Sequence, residues 1–443
     1  MKQQAISRAS CAFTLLLAAG PLAAQNSSSL ASEIQAAYPK SEVLYIDLHR
    51  NPELSFHENA TAAKIATELR QLGYEVTTGV GRIGVVGILK NGTGPTVMLR
   101  TELDALPVTE NTGLPFASTV RTKDDAGNDV GVAHSCGHDA HMAALVGTAR
   151  IMAANRGQWR GTLMLIGQPA EEIVAGAKEM LADGLFTRFP KPDFAIAVHD
   201  DARRPAGEIG YHAGPILTNS DALTIKIFGR GGHGARPEAT IDPIVIASRT
   251  VLALQTIVSR ETSPFDPAVV TVGIIRGGTK FNIIPDEVEL QLSVRSFTQP
   301  VREHLLSAIA RIVKAEAAAA GAPREPTIER TGGTDALVND SSLTRRISAV
   351  LIRELGSSRV KDTPPEMPSE DFSQYQLAGV PTLMLRIGAV PQAKYDESMK
   401  TGAPLPSLHS ALFFPDREPT IKAAMTAEIL ALRELMPVGR AQR

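Results

Sequence analysis

The sequence predicts an α/β protein: a mostly parallel sheet covered by helices, with a smaller ferredoxin-like α+β unit inserted into it. Three observations carry this expectation. Apolar strands alternate with helices from residue 59 to 200; around 213 the order becomes strand, helix, strand, strand, helix; beyond about 340 the first style resumes.

In chain order, Asn59 to Leu72 places apolar residues at helical spacing and is closed by Gly73. Two strands, GVVGILK (84–90) and TVMLR (96–100), are divided by the turn residues 91–95. Asp139 to Asn155 reads as a helix, and GTLMLIGQP (161–169) and FAIAVHD (194–200) as buried strands. In the insert, 221–229, 268–278 and 286–296 are expected strands and 242–260 and 300–320 helices, with 326–331 closing a split βαβ pattern. A helix at 342–355 and a strand at 381–388 return to the first style. The expected organisation is a leader at 1–24, a large domain in two parts, 25–213 and 331–443, and the insert at 214–330.

The leader rests on order. Lys2 and Arg8 precede an apolar run from Cys11 to Ala19, and Leu22-Ala23-Ala24 ends in small residues. That order reads as a secretory signal peptide cut after Ala24, hence a secreted or periplasmic protein, against the alternative of a buried N-terminal helix. Cys136 is then the only cysteine left, so no disulfide forms within the mature chain and the fold rests on its core. With 45 basic and 47 acidic residues, neither nucleic acid nor an anionic membrane is expected as a partner. Two G-x-G-x-x-G strings, at 79–84 and 229–234, lack the strand-to-helix context of a dinucleotide loop.

Chemistry concentrates in AHSCGHDAH (133–141). Imidazole, thiolate and carboxylate are the ligands of divalent transition ions. His134, Cys136 and His138 alternate and would share one side of an extended segment, with His141 one helical turn beyond His138. Glu171 and Glu172 follow one buried strand, His199 and Asp200 end another, and Glu102 and Asp104 follow a third. In parallel sheets the ligand crevice lies outside the carboxyl ends of the strands, so these groups are expected at one edge. Of the glutamate pair, one member would ligate metal and the other act on a metal-activated water, unless both are merely solvated. Cys136 as a nucleophile is the rival to Cys136 as a ligand. A nucleophile needs one oriented base, whereas this thiol has many potential co-ligands.

The chain resembles peptidase family M20, in the amidohydrolase branch with hippurate hydrolases, N-acyl-amino-acid amidohydrolases and auxin-conjugate hydrolases. The likeness runs from about His49 to Phe414 through HRNPELSF (49–56), DALP (104–107), HSCGHDAH (134–141), QPAEE (168–172), GRGGHGARP (229–237), NIIP (282–285), SEDF (369–372) and LHS (408–410). It implies two divalent ions per subunit, zinc or manganese, held by Cys136, His138, Glu172, His199 and His409. It further implies Glu171 as general base, Asp104 as support, and His233 as an oxyanion donor, commonly reaching the partner subunit's site from a lid domain that dimerises. Asn282 and Arg295 would hold the substrate's carboxylate, Arg295 competing with the reading of a plain surface arginine. The expected activity is metal-dependent hydrolysis of N-acyl amino acids or small peptides; a dipeptidase or carboxypeptidase of the same fold is the near alternative, and a non-catalytic periplasmic binding protein the distant one. Two stretches depart from the family pattern: RTELDALP has Thr101 and Glu102 for a small residue and an aspartate, and DDARRPAG after His199 brings Arg203 and Arg204 to the expected entrance.

Overall fold

The computed structural model describes residues 21–438, with side chains from Leu30 onward, so the side chains of the expected leader lie outside it. The large sheet has eight strands in the order Glu75–Val80, Gly84–Asn91, Gly161–Gln168, Thr96–Glu102, Phe194–Pro205, Thr382–Val390, Ile209–Tyr211, Val360–Asp362. Its centre is parallel: Gly161–Gln168, Thr96–Glu102, Phe194–Pro205 and Thr382–Val390 all run one way, and antiparallel pairs flank them.

The period of two explains why these strands are apolar throughout. Val97, Leu99, Leu163, Leu165, Ile196, Val198, Leu383 and Leu385 face one buried cluster, whereas Met98, Met164, Ile166, Ala195, Ala197 and Met384 face another. The first cluster is roofed by the helices Pro21–Arg50, His138–Ala154 and Arg417–Leu435. The second is closed by Ala177, Met180, Leu185, Phe372 and Tyr375. Two of the roofing helices have no counterpart in the sequence reading. Arg417–Leu435 is buried around most of its circumference, including Ala423, Ala424, Met425, Ala427, Glu428 and Ile429, so no amphipathic stripe marks it. Among the described residues no helix is long and apolar enough to cross a membrane.

A second, antiparallel sheet has the order Ala268–Gly277, Glu287–Ser296, Asn219–Phe228, Thr327–Thr334. Pro243–Thr256 and Gln299–Ala319 pack together over it in a separate core with Ile225, Ile227, Leu290, Leu292 and Leu305. Its limits differ from 214–330. Gly214–Leu217 pairs with Leu337–Asn339, and Ile216 and Leu337 are buried in the large sheet's core, so the second sheet begins at Asn219 and ends at Thr334. The helix expected over 242–260 ends at Thr256 and continues as a π-turn, Ile257–Glu261.

Candidate metal centre

The site forms where the parallel strands end. Leu103 and Asp104 leave Thr96–Glu102, and the chain leaves Gly161–Gln168 through Ala170, held at φ 52° while its N–H donates to Glu58 Oε1 at 2.7 Å. A non-glycine residue at positive φ is strained and persists only where its surroundings impose it. Here the turn delivers Glu171 and Glu172. His199 differs from expectation: the strand that carries it runs on to Pro205, because its pairing with Thr382–Val390 continues to Val390↔Pro205.

The histidine-rich segment is a turn, not an extended run. Gly137 adopts φ 83° before the helix His138–Ala154, and a Cβ there would stand 2.3 Å from Asp200 Oδ2. This turn sends His134 away from its neighbours. It does not line the cavity, and both its ring nitrogens are buried without a hydrogen-bond partner. His141 is a supporting residue: its Nε2 accepts the Asp200 N–H at 2.9 Å, which fixes Nδ1 as the donor to Glu102 Oε2 at 3.0 Å.

Cys136, His138, Glu172, His199 and His409 converge. Their ligand atoms fall into two triads, Cys136–His138–His199 and Cys136–Glu172–His409, that share the thiol. Cys136 Sγ lies 3.6 Å from His199 Nε2 and 3.4 Å from His409 Nε2, and His409 Nε2 lies 3.4 Å from Glu172 Oε2. His138 Nε2 is 3.9 Å from both Glu171 Oε2 and Glu172 Oε1, too far for a hydrogen bond. Ligand atoms each 2.0–2.3 Å from one ion stand roughly 3–4 Å apart, so the spacing fits coordination. His138 Nε2 and Glu172 Oε1 are, moreover, buried with no partner. A divalent cation would satisfy both.

The electrostatics point the same way. Burial pushes the Cys136 thiol well above its usual range, and Glu172 and Glu171 add to the shift. Burial, then Glu370 and Glu172, raises Glu171 well above an ordinary carboxylate, and burial lifts Glu172 to about 7 despite His138. His199 is held down to about 3, first by burial and then by His141, so its Nε2 is free to ligate. The protein alone crowds more acid groups together than can ionise, and a cation at their centre reverses this.

Asp104 supports the site. Its carboxylate accepts Ser55 Oγ at 2.7 Å and the Glu172 N–H at 2.9 Å, and its carbonyl accepts His138 Nδ1 at 2.8 Å, leaving Nε2 for the centre. Sequence reasoning missed two further supports, although both sit in motifs it singled out or beside them. His49, in the first motif, bridges Asp139 at 2.6 Å and Glu110 at 3.1 Å; it is raised to about 10, the two carboxylates outweighing burial. Arg100 is fully buried and bonds Glu102, Gln168, Glu370 and Asp371. No spacing rule marks a strand arginine as buried; only the acidic residues that meet it could have done so.

A cavity of about 750 Å³ opens over the centre, lined by Cys136, Glu171, Glu172, His199 and His409 and also by Arg295. Arg295 is half-buried, and its Nη1 donates to Met367 O at 2.8 Å. His233 and Asn282 do not line this cavity. They lie together on the second unit, where Gly232–His233 pairs with Ile283–Ile284 and Gly234 N–H donates to Asn282 O at 2.9 Å. His233 is exposed; its Nδ1 accepts the Ala235 N–H, so the neutral ring carries its proton on Nε2.

Residues 98–403 match the family model described as peptidase family M20/M25/M40. The chain is 35% identical to thermostable carboxypeptidase 2 of Saccharolobus solfataricus over 390 residues, 87% of this chain and 93% of that one. It is 38% identical to the hippurate hydrolase of Campylobacter jejuni over 287 residues, 65% of this chain and 72% of that one. The structure of the Bacillus subtilis YXEP protein, described as a dinuclear metal binding peptidase from the M20 family, matches with a TM-score of 0.72 and 29% identity, covering 90% of this chain and 98% of that one.

Proposed function

The chain belongs to peptidase family M20/M25/M40 and is a hydrolase of amide or peptide bonds; we propose that it cleaves the amide of an N-acyl amino acid, or the peptide bond of a small peptide, to release a free amino acid. The observation that carries this reading is the pair of triads sharing Cys136, with Glu171 beside them, on the floor of a cavity sized for a small molecule. Cys136, His138, Glu172, His199 and His409 would hold two divalent ions, zinc or manganese by the donor set. When bound, such ions polarise the scissile carbonyl and acidify water.

The chain's own residues supply the rest. Glu171 accepts a proton at its carboxylate and passes it to the departing amine. Arg295 binds the substrate's carboxylate and so orients the acyl carbon. Asn282 stands beside His233, whose Nε2–H is a donor for the oxyanion. Since neither lines its own chain's cavity, a second subunit would bring them in. The edge strand Ala268–Gly277 and the exposed Leu252, Phe265, Ile275 and Phe281 support a homodimer through this lid. The N-terminal order of charge, apolar run and small residues supports export to the periplasm or beyond.

The test is release of free amino acid from a panel of N-acyl amino acids and dipeptides with metal supplied. No release from any member would remove the reading. Cys136→Ser should lower the metal retained after dialysis, since a hydroxyl is a poorer ligand than thiolate. Unchanged stoichiometry by elemental analysis, with wild-type Cys136 still alkylated in the metal-loaded protein, would mean that the thiol is not a ligand.

A further inference from the structure

The geometry points to a second anion subsite in the same cavity, formed by Arg203, Arg386 and Glu366, so that the preferred substrate carries a carboxylate beyond that of the amino acid it releases. This rests on the amidohydrolase reading and narrows its substrate class. Arg386 stands on Thr382–Val390, a strand buried along its whole length, and its side chain is 9% exposed. Its Nη2 donates to Ile216 O at 3.1 Å, and its Nη1 faces Glu366 Oε1. Arg203 Nη2 faces the same oxygen from a side chain that is 60% exposed. All three residues line the cavity.

Charge decides what this cluster would take. Glu366 is one carboxylate shared by two guanidiniums. Arg203 also leans on Asp201, but Asp201 is shared with Arg204, and Arg204 and Lys361 in turn share Glu208. Arg203, Arg204, Arg386 and Lys361 stand against Asp201, Glu208 and Glu366, one positive charge in excess. Arg295 adds a second, having no carboxylate partner among the described residues. It bonds Met367, the neighbour of Glu366, so all three cavity arginines meet one short segment of wall. A guanidinium's planar fork matches a carboxylate, and Glu366 is itself a carboxylate seated between two of them. On the cavity wall itself Arg203, Arg295 and Arg386 face only Asp201 and Glu366, and Asp201 is drawn away by Arg204, so the wall suits a ligand with two carboxylates. Arg295 would take the amino acid's own, and Arg203 with Arg386 the other. That other group belongs either to an acidic side chain or to a dicarboxylic acyl group.

Calorimetric binding to the Glu171→Gln protein, with and without metal, tests this using the dianion N-acetyl-L-glutamate, its monoanionic isostere N-acetyl-L-glutamine, and the dianion N-succinyl-L-glutamine. At least one dianion should bind about tenfold or more tightly than the monoanionic isostere, as expected for a charge-assisted pair. Which dianion gains tells whether the side chain or the acyl group is read. The preference should shrink in Arg203→Gln, whose exposed side chain is not part of the core, and grow in Glu366→Gln, which removes the internal competitor. Equal binding of all three ligands, binding of none, or a preference that survives Arg203→Gln would overturn the subsite. Failure of the amidohydrolase reading shows separately, as absence of amino acid release from every member of the wider panel of N-acyl amino acids and dipeptides by the metal-loaded wild type.

Discussion

Glu171→Gln should lower turnover by ~10²-fold or more while leaving metal content and fold intact. Glu171 is buried at 6% exposure beside Glu172, Glu370 and Asp371, and burial with these neighbours raises its proton affinity. A buried carboxylate with raised affinity can accept a proton; the isosteric amide cannot. The substitution also relieves repulsion among the acidic side chains, so thermal stability should hold or rise. Turnover, elemental analysis and a melting curve check the three parts. A fully active variant would place the base elsewhere.

The second large effect concerns His233. His233→Ala should cost ~10²-fold or more in turnover with both ions retained, as for a missing oxyanion donor. The residue is exposed on the second unit and does not line its own chain's cavity, which agrees with the proposed donation from a second subunit. Mixing Glu171→Gln subunits with His233→Ala subunits should then restore about a quarter of wild-type activity. Random assortment makes about half the dimers mixed, and each mixed dimer pairs an intact Glu171 with an intact His233 at one of its two sites. A mixture that stays inactive after verified exchange would show that donation between subunits does not occur.

How much of this was legible beforehand depended on the kind of signal. The central strands were readable because both faces are buried, which leaves uninterrupted apolar runs such as GTLMLIG. Glu172 was readable because it follows a buried strand, whereas the full set of five converging residues rested on the family motifs: Cys136 and His138 precede or open a helix, His199 lies inside its strand, and His409 lies in a loop. The short strands Ile209–Tyr211 and Val360–Asp362 carry too few residues for a pattern. His134 shows the limit of alternation. Its spacing from Cys136 suggested a shared face, but Gly137 at φ 83° converts the segment into a turn. Glu102 was expected at the sheet edge with the other acidic groups; it is fully buried between Arg100 and His141 and does not line the cavity. Arg203 and Arg204 were expected together at the entrance. Arg203 lines the cavity, whereas Arg204 is bound to Asp201 and Glu208 and does not. Partners distant in sequence decided these cases, and no local pattern encodes them.

The most direct test of the central claim is a metal titration. Protein freed of metal by a chelator is supplied with increasing manganese or zinc, and amino acid release from an N-acyl amino acid is followed. Activity should be absent at the start and climb to a plateau near two equivalents per chain, as the proposed pair of ions at the two triads sharing Cys136 predicts. Full hydrolysis by the metal-free protein, or none at any loading across the panel, would contradict the account.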